Sequence, residues 1–227
     1  PKVAYSEAER ERIRGELVSV ALELMARQGI QHTTVEQIYR AVGISRSFFY
    51  TFFPTKEDLI VESLYLQQPR ILEYARSLMA DPELSWREAV RRFLHSCCYG
   101  EQHGIAVLTV EEQQLIFRRL SPESYAAFRE KQARLFGGIL ESFGIRADRE
   151  RISLFINLSL TVMIVRRGIP DTLPLFVPEA ADATAMIVRR AIPESLPLFV
   201  PEAADATVAF QIDAIVDRLD LFRRESE

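Results

Sequence analysis

The stretch from Thr33 to Leu59 carries polar and cationic side chains of types that bind nucleic acid. Arg46 could donate two parallel hydrogen bonds to the edge of a guanine base, or hold a phosphate. Thr33 and Thr34 open a helical pattern, and the free N–H groups at a helix N terminus bind phosphate oxygens. The chain shows neither a nucleophile–base motif nor a glycine-rich phosphate loop, so we expect recognition chemistry and not an enzyme.

Two short helices joined by a tight turn are needed to position these side chains. Thr33 and Glu36 have the spacing of a capping box, and apolar residues then recur at helical spacing at Val35, Ile38 and Val42. Gly43 stands where a helix ends with a residue at positive φ, and Ser45 can cap a second helix over residues 46–53. The pattern predicts a helix-turn-helix, whose second helix can enter the major groove of DNA.

The whole stretch, TTVEQIYRAVGISRSFFYTFFPTKEDL, resembles the N-terminal domain of TetR-type transcriptional regulators. Many positions match in order and spacing, from Thr-Val-x-x-Ile through Ala-Val-Gly-Ile-Ser-Arg to Phe-Pro-Thr-Lys-Glu-Asp-Leu, and the similarity covers residues 10–65. The resemblance implies a three-helix helix-turn-helix domain, followed by a C-terminal helical domain for ligand binding and dimerisation.

The resemblance also implies which residues contact DNA. Ser45, Arg46 and Ser47 would form the exposed start of the recognition helix. Tyr50 and Lys56 match family positions that contact the phosphate backbone. The family pattern and the side-chain chemistry agree best at Arg46, Tyr50 and Lys56, whereas a serine or threonine here could equally serve as a helix cap.

Three further positions of the recognition helix depart from the family pattern. Phe48 stands where the family often has a small or polar residue; if exposed it could pack against a thymine methyl, and if it faces inward it is core. Thr51 and Phe52 stand where basic residues or histidine are frequent. The predicted DNA-binding residues are therefore Thr33, Thr34, Ser45, Arg46, Ser47, Phe48, Tyr50, Thr51, Phe52 and Lys56.

Composition and charge favour a globular all-α protein with an unequal charge distribution. The 227 residues are 48% hydrophobic and 26% charged, with a net charge of −4. Residues 1–56 contain eight basic and six acidic residues, hence +2, which leaves −6 for the remainder. We predict a DNA-binding domain over 1–56 and a helical regulatory and dimerisation domain over 57–227. Pro69 should kink or break the first helix of the second domain.

Aromatic residues at helical spacing in the second domain could line a cavity between helices or form its core. The candidates for binding an unidentified small-molecule effector are Trp86, Phe93, Phe117, Phe128, Phe136, Phe155 and Asn157.

The resemblance implies a homodimer formed through the last two helices, over about residues 148–167 and 201–224. Their apolar faces include the predicted interface residues Phe155, Leu158, Val162, Phe210, Ile215, Val216 and Leu219. A twofold dimer predicts a pseudo-palindromic operator.

A near-exact repeat lies between these two helices. Residues 163–185 recur at 186–208 with four differences, and each copy contains a proline-rich connector that cannot be regular helix. A short extra helix would fall over residues 179–190. Two copies are too few for a solenoid, which leaves a recent tandem duplication, a functional elaboration or an error in the recorded chain. An intact mass measurement separates the last account from the first two.

His95, Cys97, Cys98 and His103 form the one cluster that suggests a metal or redox sensor, although their spacing matches no strong zinc pattern. Adjacent cysteines are a poor disulfide framework, which favours a reducing cytoplasm. The longest apolar stretch, residues 152–165, is too short to span a bilayer.

Together with these patterns, the resemblance implies a cytoplasmic, homodimeric transcriptional repressor without a cofactor, which a small molecule releases from double-stranded operator DNA. The alternatives are a helical interaction protein with a purely structural helix-turn-helix, and a metal- or redox-sensing regulator that uses Cys97 and Cys98.

Overall fold

The computed structural model describes residues 5–163, Arg166 and residues 204–226, and the regular elements among them are all helices. This confirms the all-α prediction. The helices are α1 (Glu7–Gln28), α2 (Val35–Val42), α3 (Arg46–Phe49), α4 (Lys56–Ala80), α5 (Trp86–Cys98), α6 (Gly100–His103), α7 (Val110–Arg119), α8 (Pro122–Ser142), α9 (Arg149–Met163) and α10 (Ala204–Arg224). None of the helices described here is long and apolar enough to cross a membrane. Most of the duplicated segment, with its connectors and the predicted extra helix, lies outside the described residues.

Local sequence sets most of the helix starts. Helices α1, α4, α5 and α7 each begin with a complete capping box, in which a hydroxyl and a carboxylate three residues later bind each other's backbone N–H groups. The pairs are Ser6–Glu9, Thr55–Asp58, Ser85–Glu88 and Thr109–Glu112.

Helix α2 starts one residue later than predicted. Its capping box is Thr34 with Gln37, and not Thr33 with Glu36. Thr33 is fully buried, and its hydroxyl donates to the Gly29 carbonyl at 2.8 Å. Either threonine could cap by its chemistry, but burial of Thr33 beneath the end of α1 leaves Thr34 at the surface to accept from the Gln37 N–H.

The turn of the helix-turn-helix has the predicted geometry, but its second helix is shorter than predicted. Gly43 ends α2 in the left-handed region at φ 77°, and Ser45 caps α3 by accepting from the Phe48 N–H at 3.2 Å. Helix α3 ends at Phe49 and not at residue 53. The Thr51 hydroxyl donates to the Phe48 carbonyl at 2.7 Å, which gives that carbonyl a partner other than a continuing helix.

The buried side chains form two hydrophobic cores. The N-terminal core joins α1–α3 and the first half of α4 to Ala106, Ile116, Leu120 and Phe128. The C-terminal core joins the second half of α4 to α5, α8, α9 and α10. Residues from α7 and α8 therefore complete the hydrophobic core of the helix-turn-helix unit, so residue 56 does not mark a break in packing.

Helix α4 is shared by the two cores. Leu59 and Leu64 are buried in the N-terminal core, whereas Ala75 and Leu78 are buried in the C-terminal core. Pro69 lies between these pairs, and the helix continues through it to Ala80. Of the two predicted effects of Pro69, a kink or a break, the break does not occur.

The apolar face of α10 packs within the chain. Ile215, Val216 and Leu219 are at most 3% exposed and belong to the C-terminal core. Beside this face, Arg87 and Arg91 of α5 form ion pairs with Asp217 and Asp213, which lie one turn apart on α10, the second pair at 2.6 Å.

This packing corrects most of the predicted dimer face. Besides the three α10 residues, Phe155 and Val162 of α9 are also buried in the monomer, so these five side chains are not free to meet a partner. Leu158 is half-buried, and Phe210 is 74% exposed. The apolar period of α9 and α10 was identified correctly, but it serves the intramolecular core.

Candidate nucleic-acid interface and ligand cavity

The helix-turn-helix presents a compact polar surface around α3. Ser45, Arg46, Ser47 and Thr51 are exposed, and Tyr50 is 42% exposed. The Arg46 guanidinium lies 6.0 Å from the centre of the Tyr50 ring, so a cation and a phenol point to the same side. Hydroxyl, phenol and guanidinium groups together suit contacts with phosphates and base edges.

An aromatic stack supports this surface from the N-terminal side. Phe48 is half-buried, with its ring parallel to that of Tyr5 at 4.7 Å and edge-on to Phe52 at 5.0 Å. The Arg10 guanidinium lies 4.9 Å above the Phe52 ring. Phe48 and Phe52, both predicted to contact DNA, therefore serve first as the packing that orients α3.

Helix α1 fixes the turn that follows α3. Arg14 donates to the Phe52 carbonyl at 3.0 Å and covers the ring of the buried Phe53 at 4.4 Å. Sequence reasoning missed Tyr5, Arg10 and Arg14, although the positions 10 and 14 are one helical turn apart on α1.

Two of the predicted phosphate contacts have other roles in the structure. Thr33 has both its N–H and its hydroxyl bound within the chain and no exposed surface, which argues against a phosphate contact. Lys56 is half-buried, and its Nζ donates to the Ile30 carbonyl at 3.0 Å. Burial lowers the pKa of Lys56, and the carboxylates of Glu112 and Glu57 oppose that change. The bond to Ile30 uses one of the three N–H donors of the Lys56 ammonium.

A cavity of about 780 Å³ lies between α4, α5, α8 and α9 and is closed by residues 105–108 and the start of α7. Of the predicted ligand-binding residues, Phe93, Phe128, Phe136, Phe155 and Asn157 line it. This volume is that of a site for a small organic molecule.

Trp86 and Phe117 do not line this cavity, which corrects two of the predicted positions. The Trp86 Nε1 donates to the Phe143 carbonyl at 2.8 Å, and the Arg223 guanidinium covers its ring. Phe117 is 62% exposed and packs edge-on against Tyr125. Trp86 is half-buried and packs against the C-terminal core, whereas Phe117 lies on the exposed side of α7.

A buried side-chain amide joins α4 to residues 105–108, the segment that closes the cavity. The Gln67 side chain donates to the Ala106 carbonyl at 2.6 Å and accepts from the Ala106 N–H at 3.1 Å. Ala106 also belongs to the N-terminal core, so one residue contacts both the cavity and the helix-turn-helix unit.

The cysteine and histidine cluster does not supply three converging metal ligands among the described residues. Burial raises the pKa of Cys97 to about 12, so its thiol stays protonated and unreactive at neutral pH. His95 stacks on Tyr99 at 4.4 Å, and in the described part of the chain no three His, Cys, Asp or Glu side chains come together as metal ligands.

Comparison with known proteins agrees with the helix-turn-helix geometry. The chain is 32% identical over 101 residues to the HTH-type transcriptional regulator AcrR of Shigella flexneri, covering 43% of this chain and 47% of that protein. It is 46% identical over 48 residues to the HTH-type transcriptional regulator TcmR of Streptomyces glaucescens, covering 21% of each. The matches thus span about half the length of the first relative and about a fifth of the second.

A crystal structure of a TetR transcriptional regulator from Legionella pneumophila aligns with 95% of this chain and 98% of its own, at 16% identity and a TM-score of 0.45. That score is too low to establish a shared fold, so the assignment rests on sequence. Residues 17–62 match the family model of the bacterial regulatory proteins of the tetR family. The N-terminal segment of this chain is therefore similar to the bacterial regulatory proteins of the tetR family.

Proposed function

We propose that this protein is a transcriptional repressor that a small molecule releases from a pseudo-palindromic operator. One observation carries the proposal: the helix α4 that completes the helix-turn-helix core also forms a wall of the 780 Å³ cavity. A molecule in the cavity therefore touches the same rigid helix that positions α3.

DNA contact is assigned to the exposed rim of α2 and α3. Thr34 stands at the N terminus of α2, where backbone N–H groups bind a phosphate, and Ser45 and Ser47 stand at the N terminus of α3. Arg46 supplies the exposed cation that contacts a guanine edge or a phosphate. Tyr50 supplies a phenol that contacts the phosphate backbone of the DNA. Because this helix carries few charges, base reading rests on Arg46 and on hydroxyl contacts.

Coupling between the cavity and the DNA-binding surface passes through two adjoining elements. Leu64, Gln67 and Ile71 of α4 line the cavity, and residues 105–108 close it. Since Ala106 and Leu64 also belong to the N-terminal core, a ligand that displaces this wall shifts the helix-turn-helix relative to the C-terminal body. The ligand then favours a state that fits the operator poorly, and by linkage the operator weakens ligand binding by the same factor.

A homodimer is proposed because two recognition helices are needed for a twofold operator. Among the described residues of α10, the large apolar side chains that are exposed are Phe210, at 74%, and Leu221, at 49%. They point away from the intramolecular core and are the surface that we assign to a second copy, in place of the buried residues predicted from the sequence.

The test is a mobility-shift assay on the DNA upstream of the protein's own gene, at low and at physiological salt. Arg46→Ala should weaken specific binding by about tenfold or more, because one bidentate contact to a base is lost. Arg76→Ala is the matched control, since it removes an exposed arginine from the distant half of α4. Circular dichroism checks that both variants are folded.

Operator binding should also fall steeply as salt rises, because phosphate contacts release counterions. The absence of specific DNA binding at low salt, with or without added ligand, would contradict the proposal. That result would favour a helical interaction protein with a structural helix-turn-helix.

A further inference from the structure

We propose that the cavity binds a mainly apolar molecule that carries a carbonyl or carboxyl oxygen, and that this oxygen accepts a hydrogen bond from Gln68. Cationic molecules of similar size bind the site more weakly. That such a molecule acts as the effector rests on the proposed function, whereas its binding does not.

The orphan amide of Gln68 is the observation that points to an oxygen. Gln68 lines the cavity, and its Nε2 is buried without a hydrogen-bond partner among the described residues. Buried donors in folded proteins almost always have a partner, and an amide N–H₂ group requires an acceptor. A ligand oxygen next to Gln68 would accept the hydrogen bond that this N–H₂ group can donate.

The neighbouring Gln67 shows that the two amides have different roles. Both hydrogen bonds of the Gln67 side chain go to the backbone of Ala106, so it is satisfied within the protein. Gln68, the next residue on α4, has no such partner in the described structure. Gln67 therefore supports the wall, and Gln68 is left to bind what the cavity contains.

The charged side chains around the cavity decide which sign of charge a ligand can carry. No aspartate or glutamate occurs among the described residues that line it, whereas Arg129 and Arg149 do, both in exposed positions. An ammonium group in the cavity would lose its hydration without gaining a counter-charge. A carboxylate could instead reach these arginines, which lie toward solvent.

The remaining wall is apolar and accepts a hydrocarbon body. Leu94, Ile139, Phe136 and Phe155 are among its lining residues. Cys97 adds a thiol that stays protonated because burial raises its pKa to about 12, so it contributes neither charge nor nucleophile. Apolar walls with one oriented polar group are the usual composition of small-molecule sites.

Isothermal titration calorimetry of the full chain, without DNA, tests the proposal with three probes of similar length. Decanoate and 2-undecanone carry the acceptor oxygen, and decylammonium carries a cation. We expect binding of the first two and at least about tenfold weaker binding of decylammonium. Gln68→Leu keeps the side-chain volume and removes the donor, so it should weaken binding of both oxygen-bearing probes by about tenfold.

Two controls keep these results interpretable. Gln114→Leu removes an exposed glutamine of α7 that does not line the cavity, and it should leave all affinities unchanged. The double variant Arg129→Gln, Arg149→Gln should weaken decanoate and not 2-undecanone, which separates the carboxylate from the carbonyl.

Equal affinity for decylammonium, failure of all three probes to bind, or unchanged affinity in folded Gln68→Leu would each overturn the proposal. Because calorimetry needs no operator, these outcomes are independent of the mobility-shift result. A protein that binds decanoate but no DNA would retain this site and lose the proposed function.

Discussion

The side chain of Gln67 and the backbone of Ala106 hold each other through two hydrogen bonds, 2.6 Å and 3.1 Å long, with both residues buried. This pair joins the middle of α4 to the segment that closes the cavity. Ala106 is 39 residues from Gln67 along the chain, and the pair places it in the core of the helix-turn-helix unit.

Gln67→Met should therefore destabilise the fold. The substitution preserves volume but leaves the buried N–H and carbonyl of Ala106 without partners, which costs about 1–3 kcal/mol. Urea denaturation, followed by circular dichroism, measures the change in free energy of unfolding. Gln114→Met, at an exposed position of α7, should change it little. Equal stability of the two variants would show that the Gln67–Ala106 pair does not hold the wall.

The stack of Tyr5 on Phe48 should support operator binding without touching the bases. Tyr5→Ala removes a parallel ring 4.7 Å from Phe48 and should weaken operator affinity by about three- to tenfold. Tyr5→Phe keeps the ring and should bind like the native protein. If Tyr5→Phe loses as much affinity as Tyr5→Ala, the hydroxyl and not the stack carries the effect.

The turn between α2 and α3 should require glycine. Gly43 has φ 77°, and beyond its two neighbours in the chain no heavy atom lies within 4 Å of the place that a Cβ would occupy. Gly43→Ala therefore meets backbone strain alone and should cost about 1–2 kcal/mol.

Gly15 provides the matched control for that substitution. It lies within α1, and it too has open space around the Cβ position. Gly15→Ala should stabilise the protein by about 0.5–1 kcal/mol, because alanine loses less conformational freedom in a helix. Thermal unfolding of both variants shows whether each substitution raises or lowers the stability. The same sign for both would mean that φ does not decide the cost at Gly43.

The carboxylate of Asp220 should make stability depend on acid pH. Hydrogen bonds from Arg223, at 2.9 Å, and from Arg224, at 2.6 Å, hold the pKa of Asp220 below its ordinary value of 3.8. A carboxyl whose pKa is lower in the folded state contributes stability above pH 3.8, and this is lost as the pH falls through the folded pKa.

Asp220→Asn should accordingly flatten the fall in unfolding temperature below about pH 4. Scanning calorimetry between neutral and acid pH measures the slope. Glu150→Gln, at an exposed site of α9, serves as the control for the loss of one negative charge. Identical acid slopes in the native protein and Asp220→Asn would rule out this contribution.

Several local features of the structure could be predicted from the sequence, because they depend on residues three or four positions apart. The Ser85–Glu88 capping box and the glycine at the end of α2 are of this kind, since hydroxyl–amide reach and positive φ are properties of one turn. The helix-turn-helix and the all-α class follow from such signals repeated along the chain.

Other outcomes depended on which side of a helix meets which neighbour. Thr33 and Thr34 are equally good caps by sequence, and only burial of Thr33 beneath α1 selected Thr34. Likewise, the apolar face of α10 with Ile215, Val216 and Leu219 has the period of a dimer interface and of a core, and contact with α5 made it core.

The cavity shows the same division between sequence and tertiary structure. The helical spacing of aromatic residues predicted both Phe93 and Trp86 as ligand-binding residues. Only Phe93 lines the cavity, because the Trp86 indole is held at the Phe143 carbonyl. Gln67 and Gln68 are adjacent and chemically identical, yet one is satisfied by Ala106 and the other is not. Sequence determined the helices and their polar faces, whereas tertiary packing decided which polar groups remained available, because availability depends on partners distant in the chain.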